Sequence, residues 1–198
     1  MRLFITILTW LLIVLPIMWV APRPACAQCP SGGGGGNTYV MLPIADAVLP
    51  DGTTDNIPGN ALVQKGIVTG GDPFWYAIEL SQTDSLQWSI WIPDNYSSDP
   101  VFTVFVNPST AIGTFSFSVG VRCLTLDANE SVFTNDFDTV NTDATITFSG
   151  ADAADSISIT LTNDDSMEAE DWCTFEFIQN SSALATYVMG ARFSFTGS

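Results

Sequence analysis

GTFSFSVGVRC, residues 113–123, alternates without a break. Phe115, Phe117, Val119, Val121 and Cys123 share one side of an extended chain; Thr114, Ser116, Ser118, Gly120 and Arg122 share the other. Successive side chains of a strand point to opposite faces, so a period of two over this length marks a strand with one face in a core and one in water. The same period recurs on either side. Leu86, Trp88, Ile90 and Ile92 show it upstream; Ile157, Ile159 and Leu161, then Cys173, Phe175 and Phe177, show it downstream. VFTVFV (101–106) is more continuously apolar, as a central strand is, and ATITF (144–148) and TYVMGARFSF (186–195) complete the set. Between these runs lie PDNYSSDP, NPSTAIG, LDANES, TNDFDTVNTD, SGADAADS and TNDDSMEAEDW, dense in turn-forming residues. Only Ser166–Trp172 reads as a single helical turn. About eight short strands with frequent turns predict an all-β, antiparallel β-sandwich of jelly-roll type, with an up-and-down barrel as the alternative.

The N-terminus has a different character. Arg2 precedes an apolar run from Leu3 to Ala21, and Ala25-Cys26-Ala27 follows a proline-broken segment. A charged start, an apolar middle and a small-residue end make a secretory signal peptide over residues 1–27, cleaved after Ala27. An uncleaved membrane anchor is the alternative. A third reading is a lipoprotein acylated at Cys29, although the residues before that cysteine fit such a site badly. Residues 28–37 form a tether built on Gly32–Gly36, which spans roughly 12 Å as a random coil. Residues 38–72 carry Pro43, Pro50 and Pro58 and read as an extended arm or edge strand that wraps the sandwich. Residues 73–198 are the sandwich itself.

Composition narrows the chemistry. The chain has 198 residues, 21 acidic against five basic, and a net charge of −16. Every acidic residue lies beyond the leader, where the only cations are Lys65, Arg122 and Arg192. Such a surface repels nucleic acid and anionic lipid, because those partners are held by lysine and arginine. This predicts no nucleic-acid partner, and membrane contact only through the leader or a lipid anchor. An apolar fraction of 46% and an aromatic fraction of 12% exclude disorder. There is no histidine, which removes Ser-His-Asp and Cys-His nucleophilic sites and histidine-held zinc. No phosphate-cradling glycine-lysine loop is present.

Three kinds of site remain. Cys123 and Cys173 fall on the inward faces of their strands and are predicted to form a disulfide, two buried thiols being the alternative. Two segments are rich in oxygen ligands: Asp127, Asn129, Glu130, Asn135, Asp136 and Asp138 in one, and Asp164, Asp165, Glu168, Glu170 and Asp171 in the other. Calcium takes six to eight oxygens, so it is the one candidate cofactor, although neither segment has EF-hand spacing and solvated acidic turns are the simpler reading. Trp75, Tyr76, Trp91 and Tyr96 are aromatic residues placed to stack on sugar rings or to cover an interface.

LQWSIWIPDNYSSDPVFTVFV (86–106), GTFSFSVGVRCLTL (113–126) and ATYVMGARFSF (185–195) together resemble the jelly-roll sandwiches of phage virion and tail-associated proteins and of surface-filament subunits. In those proteins a Trp-bearing strand leads to P-x-x-Y, a paired apolar strand follows, and an aromatic-rich strand closes the domain. The resemblance implies assembly or surface binding and no catalytic residues. Combined with the leader, it gives the main expectation: a secreted, non-catalytic structural protein that assembles with itself into a filament or surface layer. The assembly strand would be Tyr39, Val40, Met41, Leu42, Ile44, Val48 and Leu49, added to a neighbour's sheet. Cys29 is then a lipidation site or an interchain cysteine. The alternative is a tethered glycan- or receptor-binding module, with calcium as its cofactor. A glycoside hydrolase built on paired carboxylates is the third reading.

Overall fold

The alternating stretches all become strands. The computed structural model describes residues 37–50, 62–65, 75–80, 84–108, 113–125, 136–148, 154–181 and 186–198, without the side chains at 62–65, 75–76, 142–143 and 181. The leader, Cys29, the glycine tether, Asp127 and Asn129 lie outside these residues. In chain order the strands are β1 Asn37–Pro43, β2 Leu62–Lys65, β3 Trp75–Leu80, β4 Ser85–Trp91, β5 Tyr96–Pro108, β6 Gly113–Leu124, β7 Asn141–Phe148, β8 Asp155–Thr160, β9 Trp172–Ser181 and β10 Thr186–Gly197. One 3-10 turn, Ile44–Asp46, follows β1. Among the described residues no helix is long and apolar enough to cross a membrane.

The strands form two antiparallel sheets facing each other as a jelly-roll sandwich. The first has the order β2-β3-β10-β5-β8, with β1 also paired to β10. The second has the order β4-β9-β6-β7. Strand β10 is long enough for two partners on one edge: Thr186–Val188 pair with β3, and Gly190–Thr196 pair with β1. Gly190 makes this possible. Its φ is 152°, and a Cβ there would lie 3.3 Å from the Leu42 carbonyl oxygen.

The inward phase of each strand builds the core as the alternation requires. Phe115, Phe117, Val119 and Val121 are fully buried, as are Leu86, Trp88, Phe175 and Phe177. Phe175 of the second sheet meets Phe102 and Phe193 of the first, with ring centroids 5.3 and 5.1 Å apart. Cys123 and Cys173 stand directly opposite each other on β6 and β9 and are joined by a disulfide. The bridge therefore staples neighbouring strands within one sheet.

Three local expectations change. Tyr96–Pro100, read as turn, is the start of the 13-residue strand β5. Ser166–Trp172 forms no helical turn; Trp172 opens β9 instead, because its register partner Trp91 extends the β4–β9 ladder to that point. Among the described residues the strands number ten, two of them supplied by the segment read as an arm.

The assembly strand is the larger correction. Tyr39, Val40, Met41 and Leu42 pair with β10 of their own chain. Leu42 and Ile44 are buried in their own core, with Val40 and Leu49 packed against it. Val48 then exchanges two backbone hydrogen bonds of 2.8 Å with Gln87 on β4, in the opposite sheet. The Trp88 indole donates to the Pro43 carbonyl at 3.1 Å. This segment clamps the two sheets of one molecule together, its backbone paired with β10 and its Leu42 and Ile44 side chains buried in its own core, and donation to a neighbour as the basis of a filament is overturned.

The disulfide closes a loop of 50 residues, for which chain entropy gives about 4 kcal/mol of stabilisation. Replacing both cysteines by alanine should lower the unfolding free energy towards that amount, read from the denaturant midpoint under non-reducing conditions.

Candidate functional site

The outward phase of the second sheet holds a graded strip of side chains. Trp91 and Trp172 are cross-strand partners at the end of the β4–β9 ladder, 46% and 40% exposed. Their ring centroids are 6.4 Å apart at 50°. An indole is a large apolar surface, and two left side by side in water are a feature of interaction sites rather than of cores. The next row is Ser89, Thr174 and Arg122, in register across β4, β9 and β6. The hydroxyls of Ser89 and Thr174 are hydrogen-bonded at 2.8 Å. The Arg122 guanidinium lies over the Phe137 ring, 5.3 Å from its centroid. The third row is Gln87, Glu176 and Gly120. Glu176 Oε1 accepts from Ser85 Oγ at 3.0 Å and from Gln87 Nε2 at 3.1 Å. Gly120 is bare because Phe137 lies against it; a Cβ would meet that ring at 3.3 Å.

The chain leading into Trp172 is tightly held. Between β8 and β9, Asp165, Ser166 and Glu170 all have positive φ, a conformation that needs outside support. Asn141, fully buried at the start of β7, supplies much of it. Its Oδ1 accepts from Thr162 N at 2.7 Å and Asn163 N at 2.9 Å, and its Nδ2 donates to Val119 O at 3.0 Å and Asn163 O at 2.9 Å. Asp165 Oδ2 accepts from Cys123 N at 2.6 Å. Asp171, 3% exposed, accepts from Thr125 Oγ1 and from Glu168 N. Backbone bonds from Ile92 N to Asp171 O and from Glu170 N to Ile92 O then lock the segment onto the end of β4.

These contacts show what the acidic residues do. Asp165 and Asp171 are structural acceptors of loop and strand N–H and hydroxyl groups. Asp164 lies close enough to Tyr96 to act on its hydroxyl. Asp136 and Asp138 are exposed, and the Asp138 N–H donates to Val121 O. Both acid-rich segments reach the same end of β6, Asp138 through the Val121 carbonyl and Asp165 through the Cys123 N–H. Among the described residues the one close group of metal-ligand type is Cys123, Asp171 and Cys173, and its two sulfurs are bonded to each other.

Of the aromatic residues singled out from sequence, Trp91 is in the strip, and the side chains of Trp75 and Tyr76 lie outside the described residues. Tyr96 is half-buried against Phe193 and Phe195. Burial, then the charges of Asp164 and Asp99, push its hydroxyl up from 10.0 to about 12. Trp172 was missed as a site residue. Its place in the outward phase of the strand after Asp171, opposite Trp91, is the signal that pairing supplies.

No protein-family model matches the chain, and no curated protein matches it. Among solved structures it is similar to the xylan-binding domain of carbohydrate-binding module family 22, with a TM-score of 0.46 and 10% identity over 84% of this chain and 99% of that one. It is similar to the CBM22-1 xylan-binding domain from Paenibacillus barcinonensis Xyn10C, with a TM-score of 0.46 and 6% identity over 83% and 97%. It is similar also to a xylan-binding module of family 15, with a TM-score of 0.43 and 16% identity over 81% and 97%. None of these three is a phage or filament protein, and the resemblance drawn to such proteins is withdrawn together with the self-assembling partner it implied. A likeness this distant carries no argument about ligand or site.

Two outcomes follow from the geometry. Asn141→Ala leaves the N–H groups of Thr162 and Asn163 without their acceptor, and should cost on the order of 1–3 kcal/mol in equilibrium unfolding. Tyr96 holds its proton more tightly in the fold than in the unfolded chain, so its contribution is complete below pH 10 and is lost as pH rises through about 12. Denaturation midpoints measured across that window should fall less steeply for Tyr96→Phe than for the wild type.

Proposed function

We propose that the chain is a secreted, non-catalytic glycan-binding module, and that the outer face of the β4-β9-β6-β7 sheet receives the sugar chain. The observation that carries this reading is the Trp91–Trp172 pair, exposed in register at the end of a rigid ladder. Sugar rings present apolar C–H faces that stack on an indole, and hydroxyl edges that need donors and acceptors. The strip offers both in order: indoles first, then the Ser89 and Thr174 hydroxyls, then the Gln87 amide and the Glu176 carboxylate. Binding sites of this kind combine apolar and aromatic surface with a few fixed polar groups. The ladder presents these groups with little freedom to lose, which lowers the entropic cost of binding.

A hydrolytic role is less well supported. Glycoside hydrolysis uses a pair of facing carboxylates, and the three rows of the strip hold one, Glu176. The leader supports secretion, and the acidic surface suits a partner bound by stacking and neutral hydrogen bonds rather than by charge. The polysaccharide-binding modules named above are sandwiches too, but the reading stands on the tryptophan pair.

The test is retention on affinity gels containing xylan, β-glucan or cellulose derivatives. Trp91→Ala and Trp172→Ala should each weaken binding to the retained polymer by about thirtyfold, the scale of a hot-spot residue. Both residues are well exposed, so the melting temperature should stay within a few degrees of the wild type. Unchanged retention in both variants would overturn the site.

A further inference from the structure

The opposite face of the sandwich carries a second unusual group. On the outer side of the first sheet, Tyr39 and Met41 of β1 are 50% and 49% exposed. Beside them on β10, the Arg192 guanidinium lies over the Tyr39 ring, 5.9 Å from its centroid. Arg192 stands in register with Met41 on one side and Thr103 on the other, and the Thr103 hydroxyl is hydrogen-bonded to Ser158 at 2.9 Å. Tyr39 stands in register with Ser194. The rows through Tyr39 and Met41 reach Thr160 and Ser158 on β8 without meeting a carboxylate.

That absence is informative in this chain. It has 21 acidic residues and five basic ones, so acids outnumber cations about four to one. Arg192 is half-buried, its Nε is buried without a hydrogen-bond partner, and no carboxylate pairs with it among the described residues. A guanidinium is a planar fork of donors suited to a carboxylate, and it stacks well on an aromatic ring. Here, among the described residues, the stacking partner is present and the carboxylate is not.

We infer that the Tyr39–Arg192 face is a second binding site, for a carboxylate-bearing sugar: a uronic acid carried at intervals on an otherwise neutral polysaccharide. Tyr39 and Met41 offer apolar surface to the sugar ring, Arg192 takes the carboxylate, and the exposed Ser158 hydroxyl, held from below by the buried Thr103, faces the ring's own hydroxyls. The sparse spacing follows from charge. One arginine on a chain of net charge −16 pairs with one carboxylate, whereas a polymer charged at every unit meets repulsion from the rest of the surface. The choice of a sugar as ligand rests on the glycan-binding reading above; the site and its charge preference do not depend on the tryptophan pair.

The experiment compares glucuronoxylan, whose neutral backbone carries scattered uronates, with the same polymer after reduction of its carboxyl groups. Affinity electrophoresis should show the wild type binding the uronate-bearing polymer about tenfold more tightly than the reduced one. The preference should shrink as salt is raised. Arg192→Gln should abolish it while leaving binding to the reduced polymer unchanged, and Tyr39→Ala, at an exposed position, should weaken it without loss of folding. Equal binding of both polymers by the wild type, or a preference that survives Arg192→Gln, would overturn the uronate site and leave the glycan-binding reading standing. Failure to bind either polymer would overturn both. Sedimentation equilibrium covers the competing occupant: a wild-type dimer that Arg192→Gln converts to monomer would assign this face to a second copy of the chain.

Discussion

The contact of Phe175 with Phe102 and Phe193 is where the two sheets become one structure. In the second sheet Phe175 is flanked in register by Trp88 and Val121. In the first, Phe193 and Phe102 are flanked by Val40 and Ile159. These two rows face each other across the middle of the sandwich. Each ring buries a large apolar area, and a well-placed aromatic pair adds about 0.5–1.5 kcal/mol beyond area alone. A one-residue slip of any of these strands would turn its aromatic residues to water. The core therefore fixes the register, and the register fixes which side chains the outer faces display.

Both candidate sites are consequences of that arrangement. Trp91 and Trp172 are outward because Trp88, Ile92, Cys173 and Phe175 are inward. Tyr39, Met41 and Arg192 are outward because Val40, Leu42, Ala191 and Phe193 are inward. The segment after β1 completes the frame by crossing from β10 in one sheet to β4 in the other. A strand used in this way is unavailable for exchange, and a sandwich so closed offers its flat outer faces rather than an open edge at β10. The acidic loop before β9 serves the same frame, with Asn141, Asp165 and Asp171 holding left-handed backbone in place so that Trp172 meets Trp91.

Much of the fold was legible because a period of two is a local property. Phe115 to Cys123, Ile157 to Leu161 and Cys173 to Phe177 could be assigned to inner faces without knowledge of their partners, and the disulfide followed from two inward cysteines. The site was less legible. Trp91 could be noted as an aromatic residue in an alternating strand, but Trp172 followed an acidic stretch that also suits a helical turn. The acidic residues read as ligands because they cluster in sequence; that Asp165 accepts from Cys123 and Asp171 from Thr125, each more than forty residues away, is beyond any local pattern. The arm read as an assembly strand has the right apolar pattern, and pattern alone does not say whose sheet it joins.

The sequence by itself determined that this chain is all-β, that its inner and outer residues alternate, and that histidine chemistry is closed to it. These are matters of composition and short-range spacing. Tertiary structure alone decided that β1 pairs with β10 of its own chain, that Trp91 faces Trp172, and that Arg192 rests on Tyr39. Each of those pairs is brought together by strand order and register over long separations in the chain, and no local pattern encodes the choice of partner.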